Sequence, residues 1–310
     1  MIQRVAVIGE CMLELQGQAF GPMTQTYGGD TLNTAVYLRR CGQADGIQVA
    51  YATAVGEDSL SQGLLDRWIG QGLDTRLVRR IPGRHPGLYM IQVDERGERS
   101  FHYWRDTAAA KAYFEVEQTP LEQYAEEFDA LYLSGITLAI LPPAGRERLF
   151  ALMARMRSRA TVVFDNNFRP RLWPQIQEAR DAFERAFSLA TVALVTADDH
   201  QTLWGLPTLD AALTRAQDLP TPELVIKRGA EPTLVREAQD PSRWLTAPTE
   251  RVAKVVDTTA AGDSFAGGYL ARRLAGGSAV EAATFGNRVA ARVIQHPGAV
   301  IPAPAMADLL

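Results

Sequence analysis

One stretch near the carboxyl end of the chain combines small residues with aspartates and precedes an apolar helical pattern. It reads Asp257-Thr258-Thr259-Ala260-Ala261-Gly262-Asp263-Ser264-Phe265-Ala266-Gly267-Gly268. Small residues expose backbone N–H groups, and the free N–H groups and the dipole of a helix N-terminus favour an anion. The stretch therefore predicts a phosphate cradle with a carboxylate, Asp263, at its mouth. Taken alone, an aspartate before a helix is also typical of a plain N-cap.

Other polar residues stand where a predicted strand ends or a predicted helix begins. Gly28-Gly29-Asp30-Thr31-Leu32-Asn33-Thr34-Ala35 opens a helical pattern and, by itself, is typical of a turn and a cap. The residues that follow strands are Gly9-Glu10, Asp165-Asn166-Asn167, Thr196-Ala197-Asp198 and Lys227-Arg228-Gly229. Ligands of open α/β sheets bind beyond the carboxyl ends of the strands, so these residues are candidates for one site.

Short β-branched runs alternate with longer helical patterns along most of the chain. Strands are predicted at Arg4–Ile8, Ile47–Thr53, Ala130–Ser134, Thr161–Phe164, Val192–Val195 and Glu223–Ile226. Helices are predicted at Thr31–Arg40, Ser59–Ile69, Gly145–Met156, Gln177–Leu189 and Leu209–Gln217. This alternation is typical of an α/β protein with a mostly parallel sheet between helices.

One region departs from the alternation. Leu88–Val93 and Ser100–Arg105 flank a polar loop, Asp94–Arg99, with one glycine, which predicts an antiparallel hairpin. The segment Met12–Tyr27 begins with alternating apolar and polar residues and is predicted to add a strand. A hairpin beside a parallel sheet is a candidate lid.

The charge of the chain argues against several classes of partner. Its 310 residues carry a formal net charge of −4, so no broad basic surface attracts nucleic acid or anionic membranes. No run approaches the roughly 20 apolar residues of a membrane span. The apolar stretch at the amino end is too short for a signal sequence, so we expect a cytoplasmic protein.

The sequence also lacks several common site patterns. Cys11 and Cys41 have no CxxC spacing, and the histidines are scattered, so no zinc or thiol site is predicted. There is no GxxxxGK[ST] phosphate loop. Gly70-Gln71-Gly72 has Thr75 where a third glycine would complete a dinucleotide fingerprint, which argues against NAD.

The whole string from Asp257 to Gly268 resembles the DTxGAGD signature of the ribokinase/PfkB carbohydrate kinases. The resemblance implies that Asp263 is the general base, which takes a proton from the attacking hydroxyl. It also implies that the amides of Ala260, Ala261 and Gly262 form an anion hole. Ala260 stands where the family usually has glycine, so it is strained if the position needs a positive φ, although its N–H is kept.

This resemblance covers essentially the full chain. Gly28–Ala35 looks like the family's glycine-pair sugar site, and the implied substrate contacts are Gly29, Asp30, Thr31, Leu32 and Asn33. The implied fold is an α/β, ribokinase-like three-layer sandwich with a mostly parallel central sheet and a small β lid. We expect a single kinase domain over residues 1–310, with lid elements at about 12–30 and 86–106 inserted in it.

Within the family, three stretches resemble the kinases of 2-keto-3-deoxygluconate, a sugar acid. They are Gly29–Asn33, Tyr103–Arg105 and Asp165–Trp173. An arginine fork matches a carboxylate with paired, charge-assisted hydrogen bonds. The resemblance implies that Arg105 and Arg169 meet the substrate. Tyr89 and Tyr103 are implied to add hydroxyls or a ring face, and the implied reaction is ATP-dependent phosphorylation of the acid at its 6-hydroxyl.

The resemblance also implies a site for ATP. Its residues are Asn167, Arg169, Lys227, Gly229, Ala230, Ala260, Gly262 and Asn287. Mg²⁺ is expected with the nucleotide, but its ligands stay unassigned because Asp198 and Asp199 lack the local pattern of relatives. A monovalent cation, K⁺, is implied near Asp257 and Thr259. Relatives commonly pair through their lids, so we expect a homo-oligomer.

Two alternatives stay open. A fructokinase-like or ribokinase-like enzyme would keep the chemistry and take a neutral sugar. A non-catalytic sugar sensor would keep the fold, since a fold does not fix a function, but it would not need Asp263 together with Gly262. A nucleic-acid-binding protein would need a basic surface that the sequence lacks.

Overall fold

Strands and helices alternate along the chain, which the computed structural model describes at residues 3–18, 20–93 and 99–310. In these residues the strands are Arg4–Ile8 (β1), Met12–Gly17 (β2), Met23–Gly28 (β3), Gln48–Ala52 (β4), Ala54–Val55 (β5), Arg79–Arg80 (β6), Gly87–Val93 (β7), Arg99–Trp104 (β8), Ala130–Ser134 (β9), Thr161–Asp165 (β10), Val192–Thr196 (β11), Glu223–Arg228 (β12), Glu231–Arg236 (β13) and Trp244–Ala247 (β14).

The helices include every one that the sequence predicts. They are Asp30–Cys41 (α1), Ser59–Gly70 (α2), Pro120–Gln123 (α3), Gly135–Ile140 (α4), Pro143–Met156 (α5), Ile176–Leu189 (α6), Ala197–Trp204 (α7), Leu209–Gln217 (α8), Ala261–Leu274 (α9) and Ala279–Val293 (α10). α7 begins directly after β11, so Asp198 and Asp199 lie in its first turn rather than in a loop. In the described part of the chain, no helix is both long and apolar enough to cross a membrane.

The central sheet has the strand order β14-β13-β12-β11-β10-β9-β1-β4. The strands from β12 to β4 in this order pair in parallel. Six predicted strands form this part, so the predicted mostly parallel sheet is confirmed. β13 and β14 extend one edge in the antiparallel sense. The sequence did not predict them. β13 contains polar residues and Pro232, and this proline lies near the start of the strand, beside the irregularity in its pairing with β12.

Alternate residues of the parallel strands enter two separate apolar cores. In β1, Val5 and Val7 belong to a buried cluster that contains residues of α1, α9 and α10. Ala6 and Ile8 belong to a second cluster with residues of α4 to α7. A strand that is buried on both faces needs a continuous apolar run, and β1 has one. The sheet therefore lies between two helical layers.

Close packing of α1 against α9 brings two distant stretches of the sequence together. A Cβ built on Gly267 would lie 2.7 Å from the amide nitrogen of Leu38, so glycine is required at this contact. In the first turns of the two helices, the side chain of Asn33 donates to Asp263, 230 positions further along the chain. The glycine-pair stretch and the cradle stretch therefore meet.

A second sheet has the order β3-β2-β7-β8. β7 and β8 form the predicted antiparallel hairpin, whose loop at 94–98 lies outside the described residues. The predicted strand in Met12–Tyr27 is present as two strands, and β2 pairs in parallel with β7. Phe101, Tyr103 and Trp104 of β8 are 42%, 48% and 58% exposed. This sheet is thus covered less than the central one.

Candidate active site

A cleft of about 480 Å³ lies where β10, β11 and β12 end and α9 begins. Asp165 ends β10, Thr196 ends β11, and Lys227 is the residue before the end of β12. The sequence-predicted residues that line the cleft are Asp30, Asn167, Arg169, Lys227, Gly229, Thr259, Ala260, Ala261, Gly262, Asp263 and Asn287. Polar residues from separate strand ends therefore meet in one place, as expected at the carboxyl edge of a parallel sheet.

The loop before α9 has an unusual backbone. Ala260 is the N-cap of α9 and has a φ of 61° and a ψ of 17°, in the left-handed region that favours glycine. Asp257 anchors the loop, because its carboxylate accepts from the amides of Thr259 at 2.9 Å and Gly298 at 3.1 Å. The condition under which the sequence predicts strain at Ala260, a positive φ, is therefore met.

One amide of the predicted anion hole is used inside the loop. The Ala261 amide donates to the Thr258 carbonyl oxygen at 3.2 Å and closes a turn. In the described chain, no backbone carbonyl accepts from the amides of Ala260, Gly262 or Asp263. Of the predicted amides of Ala260, Ala261 and Gly262, that of Ala261 is therefore not free for an anion. The amide of Asp263 is open instead.

Asp263 is held from α1 and lies among other carboxylates. Its Oδ2 accepts from Asn33 Nδ2 at 2.8 Å, and its carbonyl oxygen accepts from Thr34 Oγ1 at 3.2 Å. Burial raises the pKa of Asp263 to about 7; the nearby Asp30 and Asp165 add to the rise, while Asn33 and Lys227 oppose it. Near neutral pH this carboxyl group can therefore accept a proton.

Three further contacts order the polar side chains of the cleft. Asn167 Nδ2 donates to Asp30 at 2.8 Å, Lys227 pairs with Asp165 at 2.9 Å, and Arg169 pairs with Asp199 at 3.3 Å. Burial raises the pKa of Asp30 and that of Asp199. The arrangement presents open amides, a buried cation and a carboxylate of raised pKa, which together can receive a phosphoryl group and a proton.

Comparison with known proteins agrees with this geometry. The model of the pfkB family carbohydrate kinases matches residues 2–306. The chain belongs to the pfkB family of carbohydrate kinases. It is 46% identical over 309 residues to the 2-dehydro-3-deoxygluconokinase of Escherichia coli (strain K12), with 99% of each chain covered. It is 44% identical over 306 residues to that of Dickeya dadantii (strain 3937), with 98% of each covered.

The fold of this pfkB kinase is also that of solved relatives. The fructokinase of Vibrio cholerae O395, solved with fructose, ADP and a calcium ion bound, is 26% identical with a TM-score of 0.81. The match covers 99% of this chain and 98% of that chain. The predicted α/β, ribokinase-like fold with a mostly parallel central sheet is thereby confirmed.

Some predicted substrate residues of the pfkB kinase lie behind the cleft rather than in it. Thr31 and Leu32 are fully buried, and the Thr31 hydroxyl lies 3.2 Å from that of Tyr51. Their side chains support α1. Gly29 is the N-cap of α1, where a Cβ would lie 2.1 Å from the carbonyl oxygen of Glu10. Asn33 reaches the site through its bond to Asp263.

The predicted substrate residues in and directly after the second sheet already have partners within the chain. The guanidinium of Arg105 donates to the carboxylate of Glu10, and both side chains are almost completely buried. Burial raises the pKa of Glu10, and Arg105 opposes that rise. The Tyr89 hydroxyl donates to Glu14, and its ring stacks on Tyr103 with 5.9 Å between centroids. These residues do not line the cleft.

Two predicted nucleotide residues already have hydrogen-bond partners within the chain. The Asn287 side chain lines the cleft, but its Nδ2 donates to the Pro248 carbonyl oxygen at 2.9 Å and its Oδ1 accepts from Thr233 at 3.1 Å. Asn287 therefore holds the segment after β14 beside the cleft. The Ala230 carbonyl oxygen accepts from Thr249 at 2.6 Å, outside the cleft lining.

Sequence reasoning gave no role to Asp165 or Glu10. Both were identified as polar residues at strand ends, and that position was the signal that could have assigned them. Among the described residues, no group of three or more His, Cys, Asp or Glu side chains is arranged to hold a metal ion. The motif from Asp257 to Gly268 identified the loop before α9. The partners of the charged side chains in the cleft could be identified only from the folded structure.

Proposed function

We propose that the chain phosphorylates 2-dehydro-3-deoxygluconate, also called 2-keto-3-deoxygluconate, with ATP at the 6-hydroxyl. The observation that carries the proposal is Asp263, a carboxyl group with a pKa raised to about 7 in the first turn of α9. It lies beside amides that have no backbone partner in the described chain. Full-length similarity to 2-dehydro-3-deoxygluconokinases supports the choice of substrate.

The reaction forms one bond and breaks one at phosphorus, and it moves one proton. The substrate oxygen bonds to the γ-phosphorus, the bond from that phosphorus to the bridging oxygen breaks, and ADP leaves with the electron pair. Asp263 accepts the proton of the substrate hydroxyl. A base whose pKa lies near the working pH is effective because it is partly ionised and still basic enough to take the proton.

The transferred group gains charge-stabilising contacts at the start of α9. In the proposed mechanism the amides of Ala260, Gly262 and Asp263 donate to its oxygens, and the helix dipole adds to the attraction. When bound to the ATP phosphates, Mg²⁺ would neutralise part of their charge. Its ligands from the chain stay unassigned, and K⁺ near Asp257 and Thr259 stays a prediction.

In this proposal, the substrate and the nucleotide contact residues that the sequence indicates. Asp30 and Asn33 face the sugar hydroxyls in this proposal, and Arg105 meets the substrate carboxylate. Lys227, Gly229 and Arg169 contact the nucleotide phosphates. The second sheet acts as the lid that excludes water from the reacting groups. Support comes from the lining of the cleft and from the nearly buried position of Arg105.

The test is a coupled assay of ADP release with a panel of acceptors. The panel contains 2-dehydro-3-deoxygluconate, gluconate, fructose, ribose and adenosine, and mass spectrometry identifies the product. We expect rapid turnover with 2-dehydro-3-deoxygluconate and one phosphate ester per ADP. Faster turnover on a neutral sugar, or ADP release without a phosphorylated acceptor, would contradict the proposed substrate.

A kinase of neutral sugars is the second candidate, and one observation favours it. Arg105 is already paired with Glu10 in this structure. The positive charge that would bind the carboxylate of a sugar acid is therefore shared with an internal carboxylate. The fold match to a fructokinase solved with fructose is consistent with this reading. The acceptor panel distinguishes the two candidates directly.

A further inference from the structure

Lys227 places an almost completely buried ammonium group beside the open amides of the cleft. A Cβ built on Gly262 would lie 3.5 Å from Lys227 Nζ. In the described chain the cleft is lined by four aspartates, Asp30, Asp165, Asp199 and Asp263, and by two cationic residues, Arg169 and Lys227. The side chain of Arg169 is 52% exposed and that of Lys227 is 11% exposed. Lys227 is therefore the buried cation next to the loop that receives phosphate.

Asp165 fixes the position of this ammonium group. Its Oδ2 accepts from Lys227 Nζ at 2.9 Å, and its Oδ1 lies 3.2 Å from the same nitrogen. Oδ2 also accepts from the Tyr132 hydroxyl at 3.3 Å, and Oδ1 accepts from the Asn167 amide at 3.4 Å. Donors from β9, β12 and the segment after β10 thus hold the carboxylate in one orientation.

Stability alone does not account for such a pair. Replacing a buried ion pair by well-packed apolar residues is often neutral or stabilising, so the pair needs another explanation. The sequence contains three lysines, at 111, 227 and 254, beside 29 arginines, so lysine is not the usual cation of this chain. An ammonium group is a compact charge that fits against a phosphate oxygen.

We propose that Lys227 is a catalytic residue that stabilises the transferred phosphoryl group, and that Asp165 is the positioning residue that holds its ammonium beside the anion hole. The inference rests on the proposed kinase function and deepens it. No bond to Lys227 forms or breaks. Its contribution is electrostatic, because a fixed charge in a site with little water acts strongly on the oxygens where negative charge develops.

The same pair acts on the base. The titratable or charged groups that influence Asp263 or are influenced by it are Asp30 and Tyr37 of α1, Tyr132 of β9, Asp165 of β10 and Lys227 of β12. Lys227 lowers the pKa of Asp263, whereas Asp165 raises it. Removing one charge or the other should therefore shift the titration of Asp263 in opposite directions.

The test compares Lys227→Met, Asp165→Asn and the double variant with Lys254→Met, an exposed lysine outside the cleft lining. Measured are kcat and KM for 2-dehydro-3-deoxygluconate, thermal unfolding, and the titration of Asp263 in the ligand-free enzyme by carboxyl ¹³C NMR. We expect Lys227→Met to lower kcat by roughly 10²–10³-fold, the usual effect of a lost charge-stabilising donor. Asp263 should titrate at higher pH in Lys227→Met and at lower pH in Asp165→Asn, with Lys254→Met unchanged.

The double variant separates catalysis from folding. Each single variant leaves a buried charge without its partner and is expected to be less stable, whereas the double variant removes both charges and regains thermal stability. If the inference holds, the stable double variant stays as slow as Lys227→Met, and it carries the comparison if the single variant does not fold. Recovery of wild-type kcat in the double variant would overturn the inference. A wild-type enzyme inactive on every acceptor would instead overturn the proposed function.

Discussion

The cleft of the central sheet and the second sheet hold their charged side chains in different ways. In the cleft, Asp263 is bonded through its side chain and its backbone, and Asp165 accepts from three different residues. Beside the second sheet, Arg105, the residue after β8, has one carboxylate partner, Glu10. Its Nε and the Oε1 of Glu10 are buried without a hydrogen-bond partner in the described chain. One region is fixed from several sides and the other is not.

This difference indicates a division of labour. Electrostatic stabilisation requires groups that do not reorient during the reaction, and the cleft supplies them on elements covered on both faces. Selection of a substrate can use groups that exchange partners when a ligand binds. We therefore expect changes in the cleft to act mainly on kcat and changes in the second sheet to act mainly on substrate choice.

The largest effect is expected for Asp263→Asn. Loss of the general base should lower kcat by about 10²–10⁴-fold, while the affinity for ATP changes little. Steady-state assays and calorimetric titration with ATP measure the two quantities. Near-normal turnover would show that Asp263 is not the base and would argue against the cleft as the place of the chemistry.

The same variant provides its own control for folding. Folding raises the pKa of Asp263 from 3.8 to about 7, so the protonated carboxyl group stabilises the folded state in acid. That stability is lost as the pH rises through this interval, because the buried group must then ionise. Asp263→Asn should therefore melt at a higher temperature than wild type above neutral pH, with no such gain in acid. A variant that is slower and also less stable above neutral pH would point to misfolding rather than to loss of the base.

The next largest effect is expected for Arg105→Lys, which tests the second region. The charge opposite Glu10 is kept, but the fork that matches a carboxylate is lost. We expect kcat/KM for the sugar acid to fall roughly 10-fold or more, within the range for a hydrogen bond to a charged group, while KM for ATP is unchanged. Equal losses for the acid and for a neutral sugar would argue against a role in selection.

The sequence predicted the elements of the molecule better than their contacts. Apolar runs were sufficient to predict the six parallel strands, and helical spacing was sufficient to predict five of the helices. The motif of small residues marked the start of α9. Burial of Thr31 and Leu32 behind the cleft was not evident, because α1 is buried on most of its surface. The pairing of Arg105 with Glu10 joins residues 95 positions apart. Such partners depend on tertiary packing, which local patterns do not encode.

A smaller effect is expected for Ala260→Gly, which tests how firmly the loop is fixed. Glycine removes the left-handed strain at this position, which stabilises the folded state by about 1 kcal/mol. Glycine also gives the unfolded chain more conformational freedom, which offsets about 0.4–1 kcal/mol of that gain. We expect a net stability change below about 1 kcal/mol in denaturant unfolding, with little change in kcat because the N–H is kept. The matched control, Ala261→Gly in the helix, should lose about 0.5–1 kcal/mol. A large loss of kcat in Ala260→Gly would mean that the methyl group itself orders the cleft.

The smallest effect on turnover is expected at β8, the edge strand of the second sheet. We propose that two chains pair along this edge, because Phe101 and Trp104 of β8 are exposed and strand edges favour association. Phe101→Asp should convert a dimer to a monomer in light scattering after size-exclusion chromatography, with kcat per chain nearly unchanged. A monomeric wild type, or a variant of unchanged mass, would contradict pairing along this edge.

The pH dependence of kcat/KM for 2-dehydro-3-deoxygluconate, with ATP saturating, tests the assignment of the base most directly. Because this kcat/KM reports the ionisation of essential groups in the ATP complex that binds the sugar acid, it should fall on the acid side of a midpoint at or above the pKa of Asp263 in the ligand-free chain, about 7. The residual activity of Asp263→Asn should lack that limb. A wild-type profile that stays flat well below neutral pH, or the same limb in Asp263→Asn, would contradict the assignment of Asp263 as the base.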